Sequence, residues 1–361
     1  MNRDELILIW FNYEGYSFSK VEKILEKIDE INDLFDESKV KNAFFEEKYF
    51  DFRNKILNTN FKKFEEMVIN DLYKYEVGVV TYFSQEYPDT LKNIDEPPLV
   101  LYYKGNVKLL NEKAISIVGT RKPTTYGRLV CDKFTKELVF AGLVTVSGLA
   151  YGIDTIVAET TLASNGKTIA VLAGGLDSIY PSQNTSLASK IVQSGGLLVS
   201  EYRIGVKPLS YQFISRNRIV SALGLGLLII EAGKTSGTMT TARFAIEQSK
   251  ELFVVPGNIN SSQSEGTNSL IDEMPDVFTI SPNRILFKLN IKKKETQKVE
   301  KQVDMIESQI LAELNSSELS FDELCERLNM SASALSSKLI KMEMFGLVKK
   351  GNGNLYYKAI D

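Results

Sequence analysis

The chain contains no histidine. That excludes a Ser-His-Asp triad, a Cys-His pair, a histidine general base and any His-ligated metal, and leaves carboxylate, lysine or tyrosine chemistry. Cysteine is nearly as scarce. Cys131 and Cys325 lie far apart, frame neither a disulfide scaffold nor a zinc motif, and fit a reducing cytoplasm. No apolar run approaches the roughly 20 residues needed to span a bilayer, and the N-terminus lacks the layout of a signal peptide, so no membrane role is expected. A strong charge of one sign is also missing. The net charge is −3 and the isoelectric point is near 5.5, so a nucleic-acid partner has to be met by a local basic site.

What is present is ordinary for a globular protein: 361 residues, 43% hydrophobic and 25% charged, enough for two or three domains. From about residue 5 to 64, apolar positions such as Val21, Ile24, Leu25, Ile28 and Ile31 recur at helical spacing. Residues 73–88 turn strand-like, and 97–103 read as a strand after a Pro-Pro break. Strands are then expected at 114–118, 143–147, 168–173, 197–201, 225–230 and 251–255. Helices are expected between them, at about 126–140, 154–164, 184–194, 212–223 and 238–249. This alternation predicts an α/β fold, a doubly wound parallel sheet with helices on both faces. The polar run Lys292-Lys293-Lys294-Glu295-Thr296-Gln297-Lys298 reads as a linker. Three helices and a hairpin turn at Gly351-Asn352-Gly353-Asn354 follow, in the pattern of a winged helix, with Ser320 and Glu323 forming a capping box.

The most informative stretch is Ser147-Gly148-Leu149-Ala150-Tyr151-Gly152-Ile153-Asp154, placed between a β-branched strand and a helix. Its glycines let the chain turn tightly and let a ligand approach the main chain. Asp154 is in place to cap the helix, whose free amides favour a phosphate. The same design recurs at Gly119-Thr120-Arg121, at Ala173-Gly174-Gly175 and at Ser236-Gly237-Thr238-Met239. In a parallel sheet these loops share one edge and gather into one anion-friendly site. The plainer readings are a tight turn with a surface arginine for Gly119–Arg121, and ordinary hydroxyl capping for Ser236.

Other motifs fail on spacing. Gly148 and Gly152 are spaced G-x-x-x-G, not as a dinucleotide fingerprint, and the Gly-Lys-Thr triplets at 166 and 233 lack the glycine a P-loop needs. Neither a nicotinamide cofactor nor ATPase activity is expected. Phe213-Ile214-Ser215-Arg216-Asn217-Arg218 is the strongest candidate for nucleic-acid contact, with Phe213 to stack on a base and arginines to take phosphates. Residues two apart on a helix diverge, which leaves one arginine open to a structural pairing with Glu201 or Glu231. The third helix of the C-terminal segment carries Lys338 and Lys341 but also Glu343, a weak surface for groove reading.

Taken in order, several of these motifs resemble the DprA/Smf family, the DNA-processing proteins of natural transformation. The resemblance runs over roughly 85–270. It is carried by Tyr87-Pro88, Pro97-Pro98-Leu99-Val100-Leu101-Tyr102, Gly119-Thr120-Arg121, Ser147-Gly148-Leu149-Ala150, Gly152-Ile153-Asp154, Tyr180-Pro181, Phe213 with Arg216-Asn217-Arg218, and Ser236-Gly237. It implies an extended Rossmann-like domain over 76–285, flanked by an N-terminal helical, SAM-like domain (1–75) and, after a linker (286–301), a C-terminal winged-helix domain (302–361). It further implies a cytoplasmic, cofactor-free, non-catalytic homodimer that binds single-stranded DNA, protects it and helps load the RecA recombinase. On the matching positions Thr120, Arg121, Gly148, Phe213, Arg216 and Arg218 would contact DNA. Gly119, Ser147, Asn217, Ser236 and Gly237 are candidates beside them, and Lys207 is the nearest candidate for a family lysine ahead of the stacking Phe. The chain departs from the family at Ala158, where many relatives carry histidine, and at Glu14-Gly15-Tyr16-Ser17, where a Pro-Gly-Ile-Gly hairpin is common. The alternatives are a nucleotide-binding or nucleotide-hydrolysing Rossmann-like protein, with Glu231 near the helix start at Ser236, and a transcription regulator acting through the winged helix.

Overall fold

The structure, a computed structural model, describes residues 1–292, 304–314, 318–344, 347–351 and 355–358. The expected polar linker from Lys293 to Lys298, the end of the third C-terminal helix at Phe345 and the turn residues Asn352, Gly353 and Asn354 lie outside the described residues. The chain divides into two compact units, Met1–Lys294 and Glu295–Asp361.

The first unit is built on an eight-stranded sheet in the order β1-β2-β6-β5-β4-β3-β7-β8. The strands are β1 (Gly78–Thr81), β2 (Val100–Gly105), β3 (Ala114–Val118), β4 (Val144–Ser147), β5 (Thr168–Val171), β6 (Leu197–Ser200), β7 (Gly226–Ile229) and β8 (Glu251–Val254). β3 to β8 are mutually parallel, and β1 and β2 extend the sheet antiparallel beyond β6. Every residue of β3 to β7 is buried, as their short, mostly apolar runs, broken only by Ser and Thr and free of charge, require of strands covered on both faces. Helices Ser210–Leu223 and Gly237–Glu247 cover one face, while Thr125–Phe140 and Ile153–Ala163 cover the other.

Three expectations change. Tyr73 belongs to helix Phe61–Lys74, so strand structure begins only at Gly78. The helices of residues 1–75 share a core with the sheet, because Ile7, Trp10 and Phe11 cluster with Leu99, Val100 and Tyr102. The change at 75 is therefore one of secondary structure, not of packing. At the other end, the linker expected from 286 begins inside helix Pro282–Lys288, whose Ile285 and Leu286 are buried, with Leu289 and Ile291 packed on the same core. No helix among the described residues is long and apolar enough to cross a membrane.

The second unit has helices Met305–Glu313, Phe321–Leu328 and Ala332–Met344, and a small antiparallel sheet of β9 (Leu319–Ser320), β10 (Val348–Lys350) and β11 (Leu355–Lys358). The Ser320–Glu323 capping box is formed. Lys338 pairs with Asp304, and Lys341 lies 2.9 Å from Glu307, so the lysines of the third helix are answered by carboxylates of the first.

Candidate nucleic-acid interface

Chain order reverses at β3: β4, β5 and β6 follow on one side of it, β7 and β8 on the other. The carboxyl ends of parallel strands diverge there and leave a crevice. A cavity of about 560 Å³ occupies it, lined by Gly119–Lys122 after β3, Ala150 and Asp154 after β4, and Ser236–Thr238 after β7. Helix Ser210–Leu223 forms a wall with Phe213, Ile214, Arg216 and Asn217. Three of the four expected loops thus meet. The Ala173-Gly174-Gly175 loop does not: its glycines are packed under Val206, Pro208 and Arg203, and the next α-helix begins only at Thr185.

The loops are held by close backbone approach. A Cβ on Gly152, whose φ is +79°, would stand 2.4 Å from the Thr120 carbonyl oxygen, so only glycine lets the β4 loop dock on the β3 loop. Ile153 N–H then donates to that same carbonyl at 3.2 Å. Glu231, fully buried, accepts from Thr124 N at 2.9 Å and from Thr124 Oγ1 at 2.5 Å, which fixes the turn after Arg121. Glu231 is therefore a brace of the loop, and it does not line the cavity.

Asp154 is not the helix cap expected of it. It sits inside helix Ile153–Ala163, and its Oδ2 accepts from the amides of Gly148 (3.0 Å) and Ala150 (3.3 Å), closing the preceding loop instead. Burial raises its pKa, against the lowering pull of Arg216 and those amide bonds. Arg216 is buried and donates to the Gly148 carbonyl at 2.7 Å and to the Val171 carbonyl. Burial lowers its pKa to about 10, so it stays cationic at neutral pH.

Arg121 is exposed, and its guanidinium lies over the Phe213 ring at 5.5 Å. The Tyr180 ring meets Phe213 edge-on at 5.4 Å. Across the cavity Ser236 caps helix Gly237–Glu247 through Thr238 N at 3.1 Å, and the space beside Gly237 is open. Thr120 Oγ1 donates to Gln263 Oε1 at 2.6 Å and accepts from Lys122 N. Asn217 lies 3.4 Å from the Gly237 carbonyl.

The structure thus brings Gly119, Thr120, Arg121, Phe213, Arg216, Asn217, Ser236 and Gly237 to one cavity. Gly148 sits just behind it, against Arg216. Three expected residues lie outside. Ser147 is buried beneath the loop, Lys207 is exposed on the approach to helix Ser210–Leu223, and Arg218 is turned away to Glu201 and Glu96. Lys122, Ser210, Tyr180 and Gln263 line the cavity without having been expected there. A lysine beside Arg121 could have been read as a second cation, whereas Gln263 reaches the site from a loop 143 residues away and carries no local signal.

Comparison with known proteins agrees on one family. Residues 78–290 match the profile described as DNA recombination-mediator protein A, and residues 294–354 match the DprA winged helix domain. The DNA processing protein DprA of Streptococcus pneumoniae is 36% identical over 282 residues, which are 74% of this chain and 95% of that protein. The Bacillus subtilis protein of the same name is 38% identical over 216 residues, 58% of this chain and 72% of its own. The X-ray structure of the S. pneumoniae protein superposes with a TM-score of 0.58 at 31% identity, covering 74% of this chain and 96% of that one. A Helicobacter pylori DprA structure, described for its single-stranded DNA binding mode, gives 0.54 at 33% identity, covering 60% and 96%.

Proposed function

Because this chain belongs to the DprA/Smf family of DNA-processing proteins, we propose that it captures single-stranded DNA in the cavity at the β3/β7 switch point. The observation that carries this reading is the exposed Arg121 lying against Phe213 beside an open helix start at Ser236–Gly237. Arg121, Lys122 and the first amides of helix Gly237–Glu247 take backbone phosphates, and Phe213 takes the face of an unpaired base. A duplex cannot offer such a base without being opened. The relative from H. pylori, described as binding single strands, supports the same choice. The test is fluorescence anisotropy with labelled oligo(dT) and a matched duplex. Single strands are expected to bind tighter, and equal binding of both would refute the proposal.

We further propose that the protein works as a homodimer and delivers the strand to RecA during natural transformation. The family description as a recombination mediator supports the second part. Ile280 and Phe287, 68% and 84% exposed near the end of the first unit, support the first, because large apolar side chains this bare need a cover. Two linked sites also gain avidity on long strands. Phe287→Glu is expected to yield monomers in sedimentation and to lengthen the lag of RecA nucleation on strands coated with single-strand-binding protein. A variant that stays dimeric would remove Phe287 from the interface.

A further inference from the structure

We infer, on the single-strand reading above, that Arg218 is a positioning residue of the site and not one of its nucleic-acid ligands. It fastens helix Ser210–Leu223, which carries Phe213 and Asn217, to the N-terminal helices. Phe213 and Asn217 are four apart and share the helix face that lines the cavity. Arg218 leaves the helix in another direction. Its side chain is 12% exposed, and its two terminal nitrogens meet both oxygens of Glu201 at 2.9 and 2.7 Å. Its Nε donates to the Glu96 carbonyl at 3.0 Å. All three faces of the guanidinium fork are therefore committed, in the bidentate geometry that holds arginine most firmly.

Both residues are in turn held from the N-terminal helices, each through the polar group that Arg218 does not use. Asn12, in helix Arg3–Tyr13, donates through Nδ2 to the Glu201 carbonyl at 3.0 Å, while its Oδ1 accepts from the Tyr102 hydroxyl at 3.0 Å. Ser19 N donates to the Glu96 carboxylate at 3.3 Å. No residue of 1–75 lines the cavity, yet two routes of hydrogen bonds run from these helices through Glu201 and Glu96 to Arg218 and the helix that presents Phe213. The N-terminal helices thus set the pose of the base-facing wall from outside the site.

The two roles of Arg218 predict opposite signs. If Arg218 took a phosphate, Glu201 would compete for it, and neutralising Glu201 would leave binding unchanged or tighter. If Arg218 positions the helix, neutralising Glu201 loosens the helix and weakens binding. The experiment uses the full chain as Glu201→Gln, Asn12→Ala and the double variant, with oligo(dT) anisotropy over a salt series and hydrogen exchange without DNA. Each single variant is expected to weaken binding by about 5–10-fold, and the double variant by no more than the worse single. The salt slope is expected to stay at the wild-type value, because no phosphate contact is lost. Amides of residues 210–223 are expected to exchange faster while those of β4 and β5 keep their protection. Glu201→Gln binding as well as or better than wild type would overturn the inference, and so would unchanged exchange of helix Ser210–Leu223 in Asn12→Ala. A wild-type protein that ignores oligo(dT) would instead overturn the single-strand reading beneath it.

Discussion

Phe213→Ala is expected to weaken single-strand binding by about 1–3 kcal/mol, the range for loss of one base–aromatic stack. The ring is placed for this role by its neighbours. Arg121 lies over it at 5.5 Å, and the Tyr180 ring meets it edge-on, so a base entering the cavity finds an oriented aromatic surface. Removing the ring also frees Arg121 from a contact worth roughly 0.5–1 kcal/mol at an exposed site. Phe213→Trp is expected to preserve binding, and Phe213→Leu to lose most of it, because stacking needs a flat π surface and not merely apolar bulk. Equilibrium anisotropy with oligo(dT) reads all three. The salt slope should be the same in each, since no phosphate contact is altered. Full affinity in Phe213→Leu would assign the side chain to packing alone.

The second large effect comes from a residue that makes no side-chain contact at all. A Cβ at Gly148 would stand 2.4 Å from one Arg216 nitrogen and 2.6 Å from the guanidinium carbon. The guanidinium must move, and it cannot do so without releasing the carbonyls of Gly148 and Val171, which would be left buried and unpaired. Overpacking and lost acceptors each cost about 1–3 kcal/mol. Gly148→Ala is therefore expected to lower the unfolding free energy by at least that order and to abolish tight single-strand binding, because Arg216 and the β4 loop line the cavity together. Chemical denaturation without DNA, beside anisotropy, separates the two losses. Gly237→Ala is the control: a Cβ there meets nothing within 4 Å, so stability should hold or rise slightly. If Gly148→Ala unfolds at the wild-type denaturant concentration, the bonds from Arg216 to the Gly148 and Val171 carbonyls do not hold the β4 loop.

The fold was largely legible in the sequence because its signals are local. β3 to β7 are short, uncharged, mostly apolar runs buried on both faces, and each expected strand falls within one or two residues of the observed one. The capping box at Ser320 has the same character. The site was legible to the extent that strand-end loops of a parallel sheet must converge, which brought Arg121 and Ser236 into view, while Phe213 came into view through the aromatic and arginines of its own segment. Tertiary partners were not legible. Nothing in the Arg-Asn-Arg segment tells which arginine faces the crevice, since the answer depends on Glu201 and Glu96 arriving from other elements. Asp154 reads as a helix cap because acidic residues at helix starts commonly are, but Gly148 and Ala150 turn their amides back toward it. Lys207, chosen by proximity in sequence, ends up exposed outside the cavity, and Ser210 lines the cavity three residues later.

Capture of a single strand by the loops at the switch point is tested most directly by a salt titration of oligo(dT) binding to wild-type protein and to Arg121→Ala. The wild-type log–log slope is expected near −2 for about three phosphates at roughly −0.7 each, and Arg121→Ala is expected to bind more weakly with a slope shallower by about 0.7. An Arg121→Ala protein that keeps both the wild-type affinity and the wild-type slope would contradict the placement of the site.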